Sequence, residues 1–184
     1  MRIQLHFMRI ATFPIASILL TLLVAVVSRP TLAAELKAES DGERYVLTQL
    51  KEYEFADLAV LPKDKRQVRA SFLTELLISP DVDKKIHLRG IWINDAIVTG
   101  DFDLISRDIP NDVSLVNCTF QQDVDLTDAH FVKGLRLSDS KFNHSAYFSG
   151  AVIGSDLMVD NCIFMALKAR FNDVQVGGQL WSLS

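Results

Sequence analysis

The sequence predicts an all-β repeat fold, a parallel β-helix of four faces and about 22 residues per coil, sealed at its start by a short helical cap. Three observations carry this. A pattern of eleven residues recurs from residue 91 onward, read in VDLTDAHF and again in LRLSDSKF one period later. Within each unit apolar residues alternate, the period-two signature of extended chain with one side inside. Ahead of the units the apolar spacing is three and four, the period of helices.

The 184 residues, 49% hydrophobic and 23% charged, suit one globular domain. Residues 1–34 carry a basic head (Arg2, Arg9), an apolar run over residues 10–27 and small residues before Glu35, the layout of a secretory signal peptide. An apolar run of roughly 18 residues is also long enough to anchor in a bilayer. Pro14 within the run and the Thr31-Leu32-Ala33-Ala34 ending favour cleavage, so a membrane contact is expected only if the segment stays uncleaved. Both forms are exported, to the periplasm or cell envelope. No acidic residue precedes Glu35, so removing the segment takes the formal charge from −4 to −7. That balance argues against nucleic acid and anionic lipid as electrostatic partners, since both require Lys and Arg to neutralise phosphate.

Residues 35–85 read as the helical lead-in and cap. Val46, Leu47, Leu50 and Tyr53 form one apolar stripe, and Val68, Phe72, Leu73, Leu76 and Leu77 a second. Two helices with a break at Pro62 are expected, the second starting near Asp64 and ending at Ser79-Pro80. Its basic residues, Lys65, Arg66 and Arg69, read as a solvated face, as do Lys84 and Lys85 just beyond. The apolar stripe is expected to lie on the first coil and seal it, as terminal caps do in stacked arrays.

Residues 86–184 hold the repeats. Units begin at Ile91, Phe102, Val113, Val124, Leu135, Ala146, Leu157, Ala169 and Leu180, every step eleven except the twelve from 157 to 169. Ile86 and Leu88 read as a leading half-unit. First and third positions are apolar and face one core. The fifth reads Asp95, Ser106, Asn117, Asp128, Asp139, Gly150, Asn161 and Asp173. All but Ser106 are types that tolerate a left-handed corner. The sixth position is small as a rule and the eighth large. Eleven residues give two faces, which cannot close a tube, so four faces in twice that length are the simplest solution; a three-sided coil is the alternative. In the four-sided register Phe120, Phe142 and Phe164 form one column, about 4.8 Å apart per coil, each ring worth roughly 1.5–3 kcal/mol from burial.

The run from Val68 through IHLRGIWINDAIVTGDFDL to VSLVNCTFQQDVDL resembles a family of bacterial pentapeptide-repeat-like proteins, in which a short helical segment leads into repeats like G-x-L-x-L-x-x-A-x-F. The resemblance extends from about residue 68 to the end. It implies a right-handed, four-sided β-helix with small and large apolar residues alternating inside. Gly100-Asp101-Phe102-Asp103-Leu104 follows the pattern, and in Gly134-Leu135-Arg136-Leu137 the glycine sits one place nearer. The unit at Phe102 departs most, because Arg107 takes the small position and Pro110 follows, and Ala146-Tyr147-Phe148 is also loose. The resemblance carries over no catalytic residue.

Chemistry-bearing residues are few. Cys118 and Cys162 stand two coils apart with Ser140 between them, about 10 Å by stacking and beyond the roughly 7 Å limit of a disulfide, so two free, buried thiols are expected. Asp101 and Asp123 share one column and Asp103 and Asp125 another, a candidate calcium or glycan face. The competing reading is an ordinary polar outer surface. His87, His130 and His144 lack metal spacing and read as surface residues. No dinucleotide fingerprint, P-loop or nucleophile elbow is present, and no cofactor is implied. Asn117-Cys118-Thr119 and Asn143-His144-Ser145 match glycosylation sequons, relevant only in a eukaryotic secretory route.

The chain reaches QLWSLS inside a unit, where exposed core columns and strand edges, with Trp181 beside them, make a template for association, so either another molecule stacks there or residues 86–184 are a truncated piece of a longer array. The leading expectation is therefore a non-catalytic exported scaffold binding a protein partner or itself through that open coil. A polysaccharide-acting enzyme using the Asp101 and Asp123 face is the second. A DNA-mimicking inhibitor, as some pentapeptide-repeat proteins are, is the third and conflicts with the signal segment.

Overall fold

The computed structural model describes residues 36–53, 55–78, 90–165 and 168–182. Residues 1–34, read above as a signal peptide, Ser79-Pro80, Lys84, Lys85, His87 and the half-unit expected at Ile86 and Leu88 lie outside the described residues. From Ile91 onward the chain winds as a solenoid whose strands pair in parallel into four sheets, giving four faces and about 22 residues per coil. One coil runs through Ile91–Asn94 on the first face, Ile97–Thr99 on the second, Phe102–Asp103 on the third and Asp108–Ile109 on the fourth. Each strand pairs with its successor one coil on, as in Phe102 with Val124 and His130 with Val152.

The corners explain the winding. All eight fifth-position residues have positive φ, from 53° at Ser106 to 72° at Gly150. This left-handed conformation is cheap for Gly, Asn and Asp and costly for most others. Even the Phe102 unit keeps it: Arg107 occupies the small position but is exposed, and its carbonyl still accepts the His130 N–H at 2.8 Å. The one-residue slip is absorbed after Phe164. Phe142 pairs with Phe164, 22 residues on, whereas Ala146 pairs with Ala169, 23 on.

Inside, first, third and eighth positions, and the sixth apart from exposed Arg107, form columns along the coils. Phe120, Phe142 and Phe164 stack at 4.9 and 4.7 Å between ring centroids, nearly coplanar. A second pair on the third face, Phe148 over Phe171 at 4.4 Å, joins them.

The lead-in departs from the expected two helices. Helix α1 is Asp41–Glu52, opened by a capping box in which Ser40 and Glu43 bond each other's backbone N–H. Val46 and Leu50 are buried, while Tyr53, at the C-cap, is exposed. Helix α2 spans only Ala70–Ile78, not the longer stretch from Asp64. Two strands lie between them. Ala56–Asp57 pairs with Ile93 and Asn94, and Gln67–Arg69 pairs with Ile97, Val98 and Thr99. Main-chain pairing with the second face overrides the helical spacing of Val68 and Phe72. Between these strands residues 58–66 form an irregular loop with two 3-10 turns, Leu58–Val60 and Lys63–Lys65. Phe72, Leu73, Leu76 and Leu77 are buried as α2 packs on the first strand of the third face, so the capping expectation holds.

The basic residues of this segment are not a free solvated face. Lys65 meets Asp41 at 3.5 Å, Arg66 meets Asp95 at 2.6 Å, and Arg69 meets Glu43 at 2.7 Å and Glu39 at 2.9 Å. Glu43 has 0% relative exposure. Its carboxylate accepts the N–H groups of Glu39, Ser40 and Arg69 besides the Arg69 guanidinium. Burial pushes its pKa up, but these hydrogen bonds outweigh burial and bring it down to about 2. Gly42 allows the approach, since a Cβ there would lie 2.6 Å from the Gln67 carbonyl oxygen.

Candidate functional site

The outward positions of each strand decide what the solenoid can touch. On the third face they carry the aspartates singled out in the sequence. Asp103 and Asp125 are register partners on adjacent rungs, and Asp101 and Asp123 precede them in the spacer column. Three of the four serve the main chain. Asp103 accepts the Ile105 N–H, Asp125 the Thr127 N–H and Asp123 the Ser145 N–H, each at 2.9 Å. An aspartate bonding the N–H two residues on is the local turn-stabilising role of this side chain. Asp101 is exposed. The same face continues with Tyr147, over whose ring the Arg170 guanidinium lies at 5.6 Å. Among the described residues no group of three or more His, Cys, Asp or Glu is placed to hold a metal ion.

His130 is exposed on the fourth face, its Nδ1 3.0 Å from Asp108 Oδ1 one rung away, and His144 is exposed with Nδ1 4.0 Å from Asp123. Both cysteines are free, as expected. Cys118 is buried, and burial pushes its thiol up to about 12. Cys162 is only half-buried, and burial raises its pKa too. Ser140 sits between them, accepting the Cys118 N–H at 3.0 Å and donating to the Leu115 carbonyl at 3.1 Å.

The first face presents a different surface. Its outward column runs Trp92, Ser114, Arg136, Met158 and Trp181, one residue per rung. The chain has two tryptophans, and both stand in this column, 43% and 45% exposed. The five rungs place them about 19 Å apart at the usual strand spacing. Arg136 on the middle rung donates from Nε to the Met158 sulfur at 3.0 Å. Its guanidinium makes no ion pair among the described residues. Because Ser114 and Gly134 are small, a cleft of about 190 Å³ opens between Trp92 and Met158, with Asp112 and Asp156 on its rim. Sequence reasoning noticed Trp181 alone. The signal that it missed is the second position of alternate units, which spells this column once the four-sided register is known.

With this geometry in place the comparisons with known proteins fall on the repeats. The model of the family described as Pentapeptide repeats (9 copies) matches residues 109–152. That match and the four-sided parallel solenoid around it fit a pentapeptide-repeat β-helix. No curated protein and no solved structure matches the chain.

Proposed function

We propose that this chain is a non-catalytic β-helix binding module, exported to the periplasm or cell envelope, whose first face docks a protein partner. The observation that carries the reading is the Trp92, Arg136, Met158 and Trp181 column. Trp, Met and Arg are the types that concentrate in protein interfaces, and Trp and Arg are the types that dominate their binding energy. A second copy docked across a two-fold axis at mid-column would set Arg136 against its own mate, so the column suits a different chain. The cleft between Trp92 and Met158 has room for one inserted side chain. Export rests on the layout of residues 1–34, and the described helices neither support nor oppose it.

A photo-crosslinker at Ser114, used in the native host, tests the docking face. The captured protein is identified, produced, and its affinity measured against the wild type, Trp92→Ala and Trp181→Ala. Each alanine is expected to weaken binding about tenfold or more, as truncation of an interface anchor does. Unchanged affinity in both variants would sink the reading. The intact mass of the protein from that host checks export, through the loss of residues 1–34.

Self-association belongs on another surface. In the last described rung, Phe171 and Leu180 occupy inward positions yet remain 39% and 59% exposed, which supports stacking of a second molecule there. The oligomeric state of the purified protein tests it, independently of the Trp92 column. The polysaccharide-cleaving alternative keeps its own test: turnover of a glycan that disappears in Asp123→Asn would replace the scaffold reading.

A further inference from the structure

The second face holds a cleft of about 510 Å³ where residues 58–66 rise beside the sheet. In the repeat coils two to four residues turn the chain from the first face to the second, two of them at Asn117-Cys118. In the lead-in that turn becomes a nine-residue wall. Arg66 fixes its shape, donating to the Leu61 carbonyl at 2.8 Å, the Ala59 carbonyl at 2.9 Å and Asp95 at 2.6 Å. Asp95 is the cleft's one carboxylate, and Arg66 neutralises it.

What remains in the lining is rich in donors. Lys63 on the wall and Lys141 on the sheet have no ion pair among the described residues, and both are exposed. The side chains of Asn117, Thr119 and Gln121 between them make no hydrogen bond to the described protein. Two ammonium groups supply six donors and no acceptor, and the amides and hydroxyl add five more. The charged lining sums to +2 in a chain whose formal net charge is −4. Ile97 and Thr119 are register partners, as are Thr119 and Lys141, so the floor spans three rungs, about 10 Å. Half-exposed Ile97 gives one end of that floor an apolar patch.

We propose that this cleft binds a small sugar acid, a monosaccharide-sized polyol carrying one carboxylate or phosphate. The anion lies between Lys63 and Lys141, the hydroxyl groups accept from Asn117, Thr119 and Gln121, and the C–H face of the ring rests on Ile97. The cleft is separate from the Trp92 column, so either proposal can fail without the other.

Amide chemical shifts of the labelled full-length protein, titrated with glucose 6-phosphate, glucuronate, glucose and inorganic phosphate, test it. The expected result is saturable shifts at Asn117, Thr119 and Gln121 with one or both sugar acids, and the one that binds tells phosphate from carboxylate. Lys63→Gln and Lys141→Gln alter exposed side chains, and each is expected to weaken that binding about tenfold, the loss of one charge-assisted hydrogen bond. Three outcomes would overturn the site. Neither sugar acid shifts these amides, or the double lysine variant binds as well as the wild type, or inorganic phosphate alone reproduces the response with equal affinity.

Discussion

Phe142 and Glu43 are both fully buried, one in the repeats and one in the lead-in, and they hold the solenoid by opposite physics. Phe142 lies between two copies of itself, with Phe120 at 4.9 Å and Phe164 at 4.7 Å. Its contribution is apolar area and dispersion, shared along a column in which every rung repeats the shape. Glu43 has no counterpart. A single carboxylate joins the start of α1 to the strand Gln67–Arg69, through contacts up to 26 residues apart in sequence. The repeats distribute their stability along the column, whereas the lead-in ties α1 to that strand through one charge.

The largest effect expected of breaking this contrast is in the repeats. Phe142→Ala should cost about 3–5 kcal/mol, the range for removing a buried aromatic ring and leaving a cavity. Chemical denaturation monitored by far-UV circular dichroism reads it. A loss below about 1 kcal/mol would mean that neighbouring rungs close over the gap, and the column would then be a looser object than its stacking distances imply.

Glu43→Gln comes next, at about 1.5–3 kcal/mol, because the neutral amide cannot accept all five hydrogen bonds and leaves Arg69 without its charge partner. The same group gives the lead-in a pH signature. Its folded-state pKa of about 2 lies below the ordinary 4.5, so the unfolded chain takes up the proton more readily. The stabilisation is fully present above pH 4.5 and is lost as pH falls through about 2. The gap in unfolding free energy between wild type and Glu43→Gln should therefore be full at neutral pH and shrink on acidification through that window. A constant gap would show that the carboxylate's charge is not what joins the lead-in to the sheet.

The same contrast explains what could be read before the structure was known. The repeat was legible because its register is periodic: the corners, the phenylalanine column, the one-residue slip at 157 to 169 and the separation of the two cysteines all follow from counting. The lead-in was not. Val68 and Phe72 satisfy a helical spacing, yet Gln67–Arg69 is a strand, because an open sheet edge at Ile97–Thr99 supplied pairing that no local pattern announces. The pairs Arg66 with Asp95 and Arg69 with Glu43 are 29 and 26 residues apart and belong to no period. The surfaces divide likewise. The Trp92 to Trp181 column is encoded in the repeat, whereas the cleft beside Lys141 depends on the loop of residues 58–66 and is invisible without it.

Ser106 sharpens the contrast from inside the repeat. It is the one fifth-position residue that is neither Gly, Asn nor Asp, and it is held at φ 53° like the rest. Pairing of the third and fourth faces imposes the corner, and the residue accepts it. A side chain in the left-handed region costs about 1–2 kcal/mol, which glycine avoids, although glycine adds freedom to the unfolded chain. Ser106→Gly should therefore stabilise the protein by about 0.5–1 kcal/mol. Ser106→Asn should give a smaller gain of the same sign, since Asn tolerates this conformation without loosening the unfolded state. Both are read as upward shifts of the thermal midpoint. A fall in either variant would mean that the serine hydroxyl serves the corner, and the rule joining all eight positions would then have to include a hydrogen bond as well as a backbone conformation.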